Sequence, residues 1–149
     1  MNLQTSRRIR CTITSTGRIT WRCDACGKPI KAKTGYVTVD RGKAMQQHWE
    51  ADEREFQRLT KARAEGHSFT IISGTELLAW PGPVGWQLLH QTCDQNLERD
   101  DYWFGVERVD TLAKLLNWAA HLLEKKWLPE TDWSHLLHEA AAAAGGADA

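Results

Sequence analysis

Cys23-Asp24-Ala25-Cys26-Gly27 and, much further along, His90-Gln91-Thr92-Cys93 decide how this chain is read. Two thiols separated by two residues on a tight turn present both sulfurs to the same side of the loop. Gly27, directly after the second, tolerates positive φ and lets backbone N–H groups aim at the sulfurs. His90 and Cys93 are three apart, a spacing that puts both on one face of a helix's first turn, where the helix N-terminus favours an anionic thiolate. Three Cys and one His form the closed tetrahedral shell of a structural zinc site, so Cys23, Cys26, His90 and Cys93 are the expected metal ligands. Two other readings compete. A redox Cys-x-x-Cys belongs between a strand and a long helix, but Gly27-Lys28-Pro29 interrupts any helix there. Alternatively the pairs are unrelated, with Cys26 and Cys93 as small buried apolar residues.

The order of these ligands resembles the treble-clef class of zinc fingers, in which a knuckle and a β-hairpin precede a helix bearing the second ligand pair. It is most similar to the first half of a LIM domain. The resemblance implies a structural Zn2+ and covers the ligands and their turns only. Sixty-three residues (27 to 89) separate the two pairs, more than a LIM finger allows, and no second zinc half follows. The carboxy-terminal half, through Tyr102-Trp103-Phe104, Leu115-Leu116-Asn117-Trp118, His121-Leu122-Leu123 and the run from Lys126 to Trp133, is similar to uncharacterised proteins of actinobacteria and their phages. That likeness implies a phage or mobile-element origin and carries no activity with it.

Upstream of the knuckle, Ile9 to Thr14 alternates, Ser15-Thr16-Gly17 turns, and Arg18 to Arg22 returns: a hairpin. One face carries Ile9, Cys11 and Ile13, the other Arg8, Arg10 and Thr12. Cys11 is therefore expected in the core, with a fifth-ligand role as the alternative. Downstream, Gly35 to Asp40 reads as a strand and Arg41-Gly42 as a turn. Ala44 to Glu65 follows as a helix with a narrow stripe of Met45, Trp49, Phe56 and Leu59, ended by Gly66. Glu50 and Arg54 support it at i,i+4, and His48 is expected to be solvated. His67 to Ser73 reads as a strand, and Gly74 to Trp80 as either a strand or a helical turn. After Pro81-Gly82-Pro83, Val84 to Leu89 returns as a second strand arm and delivers His90 to a helix running to about Asp100. Tyr102 to Val109 reads as a strand. A helix capped by Asp110 or Thr111 runs to about Lys126, with Leu112, Leu115, Leu116, Ala119, Leu122 and Leu123 on one broad face. Pro129 blocks it, and Thr131-Asp132 starts a last helix with Trp133, Leu136 and Leu137. The Ala/Gly tail from Ala140 is expected to fray.

The fold class implied is α+β: small antiparallel hairpins around a treble-clef-like zinc site, with an inserted helix and a carboxy-terminal helical pair. The expected organisation is a zinc-binding domain over 1–101 with a helical insertion at 44–66. A strand and helices over 102–139 follow, then a disordered tail over 140–149.

Composition narrows the rest. At 149 residues and 42% apolar content, eight Trp must supply much of the buried area. The first ten residues are polar and basic, so no secretory leader is expected. No apolar run is long enough to span a bilayer. With four Cys in metal-like spacing, this points to a reducing, cytoplasmic setting. The net charge of zero hides an asymmetry: residues 1–43 hold ten Lys/Arg against Asp24 and Asp40, a balance of +8, and the remainder holds 9 basic and 17 acidic residues. Arg7, Arg8, Arg10, Arg18, Arg22, Lys28, Lys31 and Lys33 are the candidate nucleic-acid-binding residues. The competing reading is that the two halves neutralise each other internally. Trp21, among these cations, either stacks on a base or packs over the metal.

No residue set supports catalysis. Four protein ligands leave a zinc no position for water. A histidine-based treble-clef nuclease needs a His on the hairpin arms, which Tyr36 to Asp40 and Val84 to Leu89 lack; only His67 would remain. His135-Leu136-Leu137-His138-Glu139 lacks metalloprotease spacing and reads as a polar helix face. Asp24 is expected as a solvated turn residue. The functional expectation is a zinc-stabilised binding module contacting nucleic acid. Alternatives are a protein–protein adaptor, inhibitor or homo-oligomer acting through the 44–65 helix and the last helices, or a metal-dependent nuclease.

Overall fold

The computed structural model describes residues 9–67, 80–95 and 100–145 of the chain. Among the described residues, two small antiparallel sheets and three α-helices make a mixed α/β fold, as expected. Arg7, Arg8, the segment from Ser68 to Ser73 and most of Gly74 to Trp80 lie outside the described residues, as does the end of the tail.

Strands β1 (Cys11–Ile13) and β2 (Ile19–Trp21) form the amino-terminal hairpin, with Cys11 opposite Trp21 and Ile13 opposite Ile19. β3 (Gly35–Asp40) is the central strand of the second sheet, flanked by β4 (Gln87–His90) and β5 (Asp101–Gly105) in the order β4-β3-β5. Being paired on both edges, β3 is buried through Val37, Thr38 and Val39. β5 thus shares a sheet with the two arms nearest the metal ligands.

Helix α1 (Arg41–Ala64) starts earlier than the sequence suggests. Arg41-Gly42 forms its first turn, because the Asp40 carboxylate accepts the Lys43 N–H at 3.0 Å and caps it directly off β3. Its first turns rest on β5 and on the 3-10 turn at Leu128–Glu130, burying Ala44 and Gln47. Trp49, Phe56 and Leu59 are exposed. His48 is not solvated: it lies between Asp52, at 3.5 Å, and Glu130, at 3.9 Å. Arg54 lies over the Trp80 ring, and Glu50 accepts instead from Gln46.

α2 (Leu112–Leu122) is capped by Thr111, whose hydroxyl accepts from the Lys114 N–H. It ends four residues short of the expected Lys126, and its apolar face is narrower than expected. Leu115 and Leu122 are buried, but Leu116 and Leu123 face solvent. α3 (Trp133–Ala143) runs on into the alanine stretch expected to fray. Ala140 is buried there, and α3 packs on β1, so tertiary contact overrides the tail-like composition. β5 ends at Gly105 and gives way to a 3-10 turn at Val106–Arg108 instead of extending to Val109.

The core centres on Trp86, just before β4 and only 2% exposed. Its ring meets Trp133 at 5.1 Å, Phe104 at 5.9 Å and Trp127 at 6.1 Å between centroids. Its Nε1–H donates to the Thr131 hydroxyl at 2.9 Å, and its backbone N–H donates to Asp132 at 2.7 Å. One indole thereby joins the central sheet to the segment between the two carboxy-terminal helices and to α3.

Candidate metal centre

The expected ligands converge. The sulfurs of Cys23, Cys26 and Cys93 and a ring nitrogen of His90 all lie within 4.8 Å of one another. His90 Nδ1 is 3.3 Å from Cys26 Sγ and 3.9 Å from Cys93 Sγ. Ligands held at about 2.1 to 2.3 Å from one tetrahedral ion stand roughly 3.5 to 3.8 Å apart, so this set is positioned to hold a metal ion.

Local backbone chemistry builds the cluster. In the knuckle, Gly27 takes φ +74°, its N–H donates to the Cys23 carbonyl at 2.8 Å, and the Cys23 N–H donates to Lys28 at 2.9 Å. β4 brings His90 opposite Gly35 on β3. A Cβ at residue 35 would lie 2.5 Å from the Leu89 carbonyl oxygen, so glycine is what lets β3 approach the ligand-bearing strand. His90 then ends β4, and Cys93 follows in a 3-10 turn, Gln91–Cys93. The expected α-helix does not continue from it, because Asp94 is extended at φ −84° and ψ 116°. Tyr36 donates to the Asp94 carboxylate and holds this exit against β3. The second ligand pair thus sits on a strand end and a tight turn, unlike the helix that a treble clef places there.

The surrounding groups orient the ligands. His90 Nε2 donates to the Pro29 carbonyl at 3.0 Å, which leaves Nδ1 unprotonated and facing the thiols. Burial pushes the Cys23 thiol up, but N–H groups of Cys26, His90 and Ala25 outweigh it and hold the thiol at about 6. Burial, and the hydrogen bonds that its S–H donates to the Cys23 and Cys26 sulfurs, push Cys93 up. Three thiols this close cannot all ionise unaided, and a shared cation removes that conflict.

Asp24 is not a solvated turn residue. Its N–H donates to the Leu88 carbonyl at 2.7 Å, and its carboxylate accepts the Leu88 N–H at 2.8 Å, pinning the knuckle to β4. Arg10 reaches the same carboxylate at 3.4 Å, Glu139 at 2.8 Å and the Trp86 carbonyl at 3.2 Å. A guanidinium in contact with two carboxylates has its charge answered inside the fold. An Asp beside thiolates needs such a partner, and that was the available signal for Asp24; nothing in the local sequence marks Arg10 as the partner.

Trp21 is 1% exposed and donates its Nε1–H to the Val109 carbonyl at 2.8 Å, so it packs in the core and offers no face to a base. Arg22 is half-buried and donates to the Gly27 carbonyl at 3.3 Å. Arg18, Lys28, Lys31 and Lys33 are exposed, and their side chains carry no ion pair among the described residues. His135 pairs with Glu139 on α3 at 3.4 Å, consistent with a polar helix face.

Cys11 lies in the core, 2% exposed and outside the four-ligand cluster. Burial pushes its thiol up to about 11, with Glu139 adding to the rise and Arg10 opposing it. In the unfolded chain a thiol ionises near 8.5. From about pH 9 to about 11 the unfolded state therefore sheds this proton first, and stability falls as pH rises. Urea midpoints measured through that window should decline less steeply in Cys11→Ala than in the parent, the difference reaching at most about 3 kcal/mol at 1.36 kcal/mol per pKa unit. Parallel declines would show that Cys11 titrates normally.

No helix among the described residues is long and apolar enough to cross a membrane. Comparisons with protein-family models, with curated proteins and with solved structures find no match to this chain, so the metal cluster stands as the site from which function is argued.

Proposed function

We propose that this protein is a zinc-stabilised binding module that contacts nucleic acid through the basic face around its knuckle. Three thiolates and one imidazole favour zinc, because thiolates are soft ligands and a d10 ion accepts the tetrahedral set without preference. With all four positions filled by protein, zinc here braces the fold, and the knuckle's surroundings carry the activity. The reducing compartment expected from the sequence suits free thiols. The similarity of the carboxy-terminal half to actinobacterial and phage proteins supports a mobile-element origin.

The observation that carries the nucleic-acid reading is that Arg18, Lys28, Lys31 and Lys33, close to the knuckle in sequence, are exposed and carry no ion pair among the described residues. Arg10 is left out of the contact surface because Asp24 and Glu139 already answer its charge. Arg7 and Arg8 add two further cations just upstream in the sequence. Four phosphate contacts on duplex DNA predict that affinity falls about two orders of magnitude between 50 and 200 mM salt, at a slope of about −0.9 per contact. Fluorescence anisotropy with labelled duplex DNA, single-stranded DNA and RNA measures this. Combining Lys28→Glu, Lys31→Glu and Lys33→Glu should abolish binding without changing the melting temperature. A salt-independent signal, or undiminished binding by the triple variant, would refute the assignment.

A further inference from the structure

α1 carries an apolar seam on the side opposite its buried residues. Trp49, Phe56 and Leu59 are 63%, 67% and 42% exposed. With Asp52 and Arg63 they recur at alternating spacings of four and three, the repeat of a coiled-coil seam. The charges along the helix are segregated. Glu50, Asp52, Glu53 and Glu55 fill the middle, interrupted only by Arg54, which turns to the Trp80 ring, and Arg58, Lys61 and Arg63 follow toward the C-terminus, before Glu65.

We propose that this seam pairs with the α1 of a second copy of the chain, the two helices running antiparallel. In that arrangement Phe56 packs against Leu59 of the second copy, and Asp52 meets its Arg63. The acidic middle of each helix then lies along the basic end of the other. Parallel pairing would instead set Asp52 against Asp52 and Arg63 against Arg63, which repel. Charge order therefore selects both the occupant and its direction, because the surface is complementary to itself only when reversed. Arg63 carries no ion pair within its own chain among the described residues, and Asp52 has only His48, at 3.5 Å. This pairing uses a surface separate from the knuckle cations and does not rest on nucleic-acid binding.

Sedimentation equilibrium of the full-length, metal-loaded protein tests it. A concentration-dependent monomer–dimer equilibrium is expected, and Phe56→Glu should abolish it while leaving the monomer's melting temperature unchanged. Asp52→Lys and Arg63→Glu should each weaken the dimer roughly tenfold, because symmetry counts each repulsion twice. The combination of both should restore it toward the parent. Positions 52 and 63 are about 16 Å apart along one helix at 1.5 Å per residue, so that rescue can act only between chains. A monomer at every concentration, a dimer indifferent to Phe56→Glu, or a double variant no better than the singles would overturn the proposal. So would a monomeric parent whose melting temperature drops in Phe56→Glu, which would mean that residues of the same chain cover the seam.

Discussion

Cys23→Ser, like exhaustive chelation, is expected to unfold the protein rather than leave a folded chain lacking one property. Cys23 is the most enclosed of the four ligands, at 2% exposure, and its sulfur receives N–H groups from both the knuckle and His90. Binding free energy of a structural zinc is folding free energy, on the order of 10 kcal/mol in finger peptides. A domain of this size has only about 5 to 15 kcal/mol of stability to lose. The cluster joins the turn after β2 to the end of β4, so losing it frees the two segments that flank the central sheet. Circular dichroism melts with and without chelator should show the cooperative transition collapse in both cases, with Cys26→Ser and Cys93→Ser behaving alike. A melting temperature close to the parent's in Cys23→Ser would mean that the cluster is peripheral to stability.

Trp86→Ala carries the second largest expected effect, a loss of about 3 to 5 kcal/mol. The indole touches Trp127, Trp133 and Phe104 and donates to Thr131, so truncation leaves a cavity and removes one of the bonds that hold the Thr131 hydroxyl. Trp86→Phe keeps a ring in the cavity and should cost clearly less. Trp103→Ala, at a residue 64% exposed on β5, should change stability by no more than about 0.5 kcal/mol. Urea midpoints of the three variants provide the check, and equal losses at positions 86 and 103 would contradict the assignment of Trp86 as the core's centre.

Much of the site could be read from the sequence because its determinants are short-range. Two thiols on a glycine-terminated turn and a His-x-x-Cys are local patterns, and the strand Gly35–Asp40 announces itself by its β-branched alternation. What escaped the sequence is long-range. Asp24 and Leu88 are paired across 64 positions, and Arg10 and Glu139 across 129. Local spacing carries no trace of such pairs. His-x-x-Cys fits a helix's first turn and a 3-10 turn equally well, and the extended Asp94 decided between them. Ala140 could be read as tail because a small alanine side chain sits as readily on a surface as in a core, and the neighbouring strand β1 made it core. On α2, Leu116 and Leu123 satisfied the helical period but lay at the edge of the buried face, where a periodic pattern does not distinguish covered from bare.

The ligands' order along the chain has a consequence during translation. Cys26, the later of the two knuckle thiols, leaves the ribosome 67 positions ahead of Cys93, a lag of about 3 to 13 s at roughly 5 to 20 residues per second. Over that interval the nascent polypeptide carries a two-thiol half-site with neither its third sulfur nor its imidazole. The same delay holds β3 without either neighbour, since β4 and β5 are both made later. Acquisition of the ion is therefore a late event in this protein's synthesis, and the nascent thiols depend on the reductants of their surroundings until it occurs.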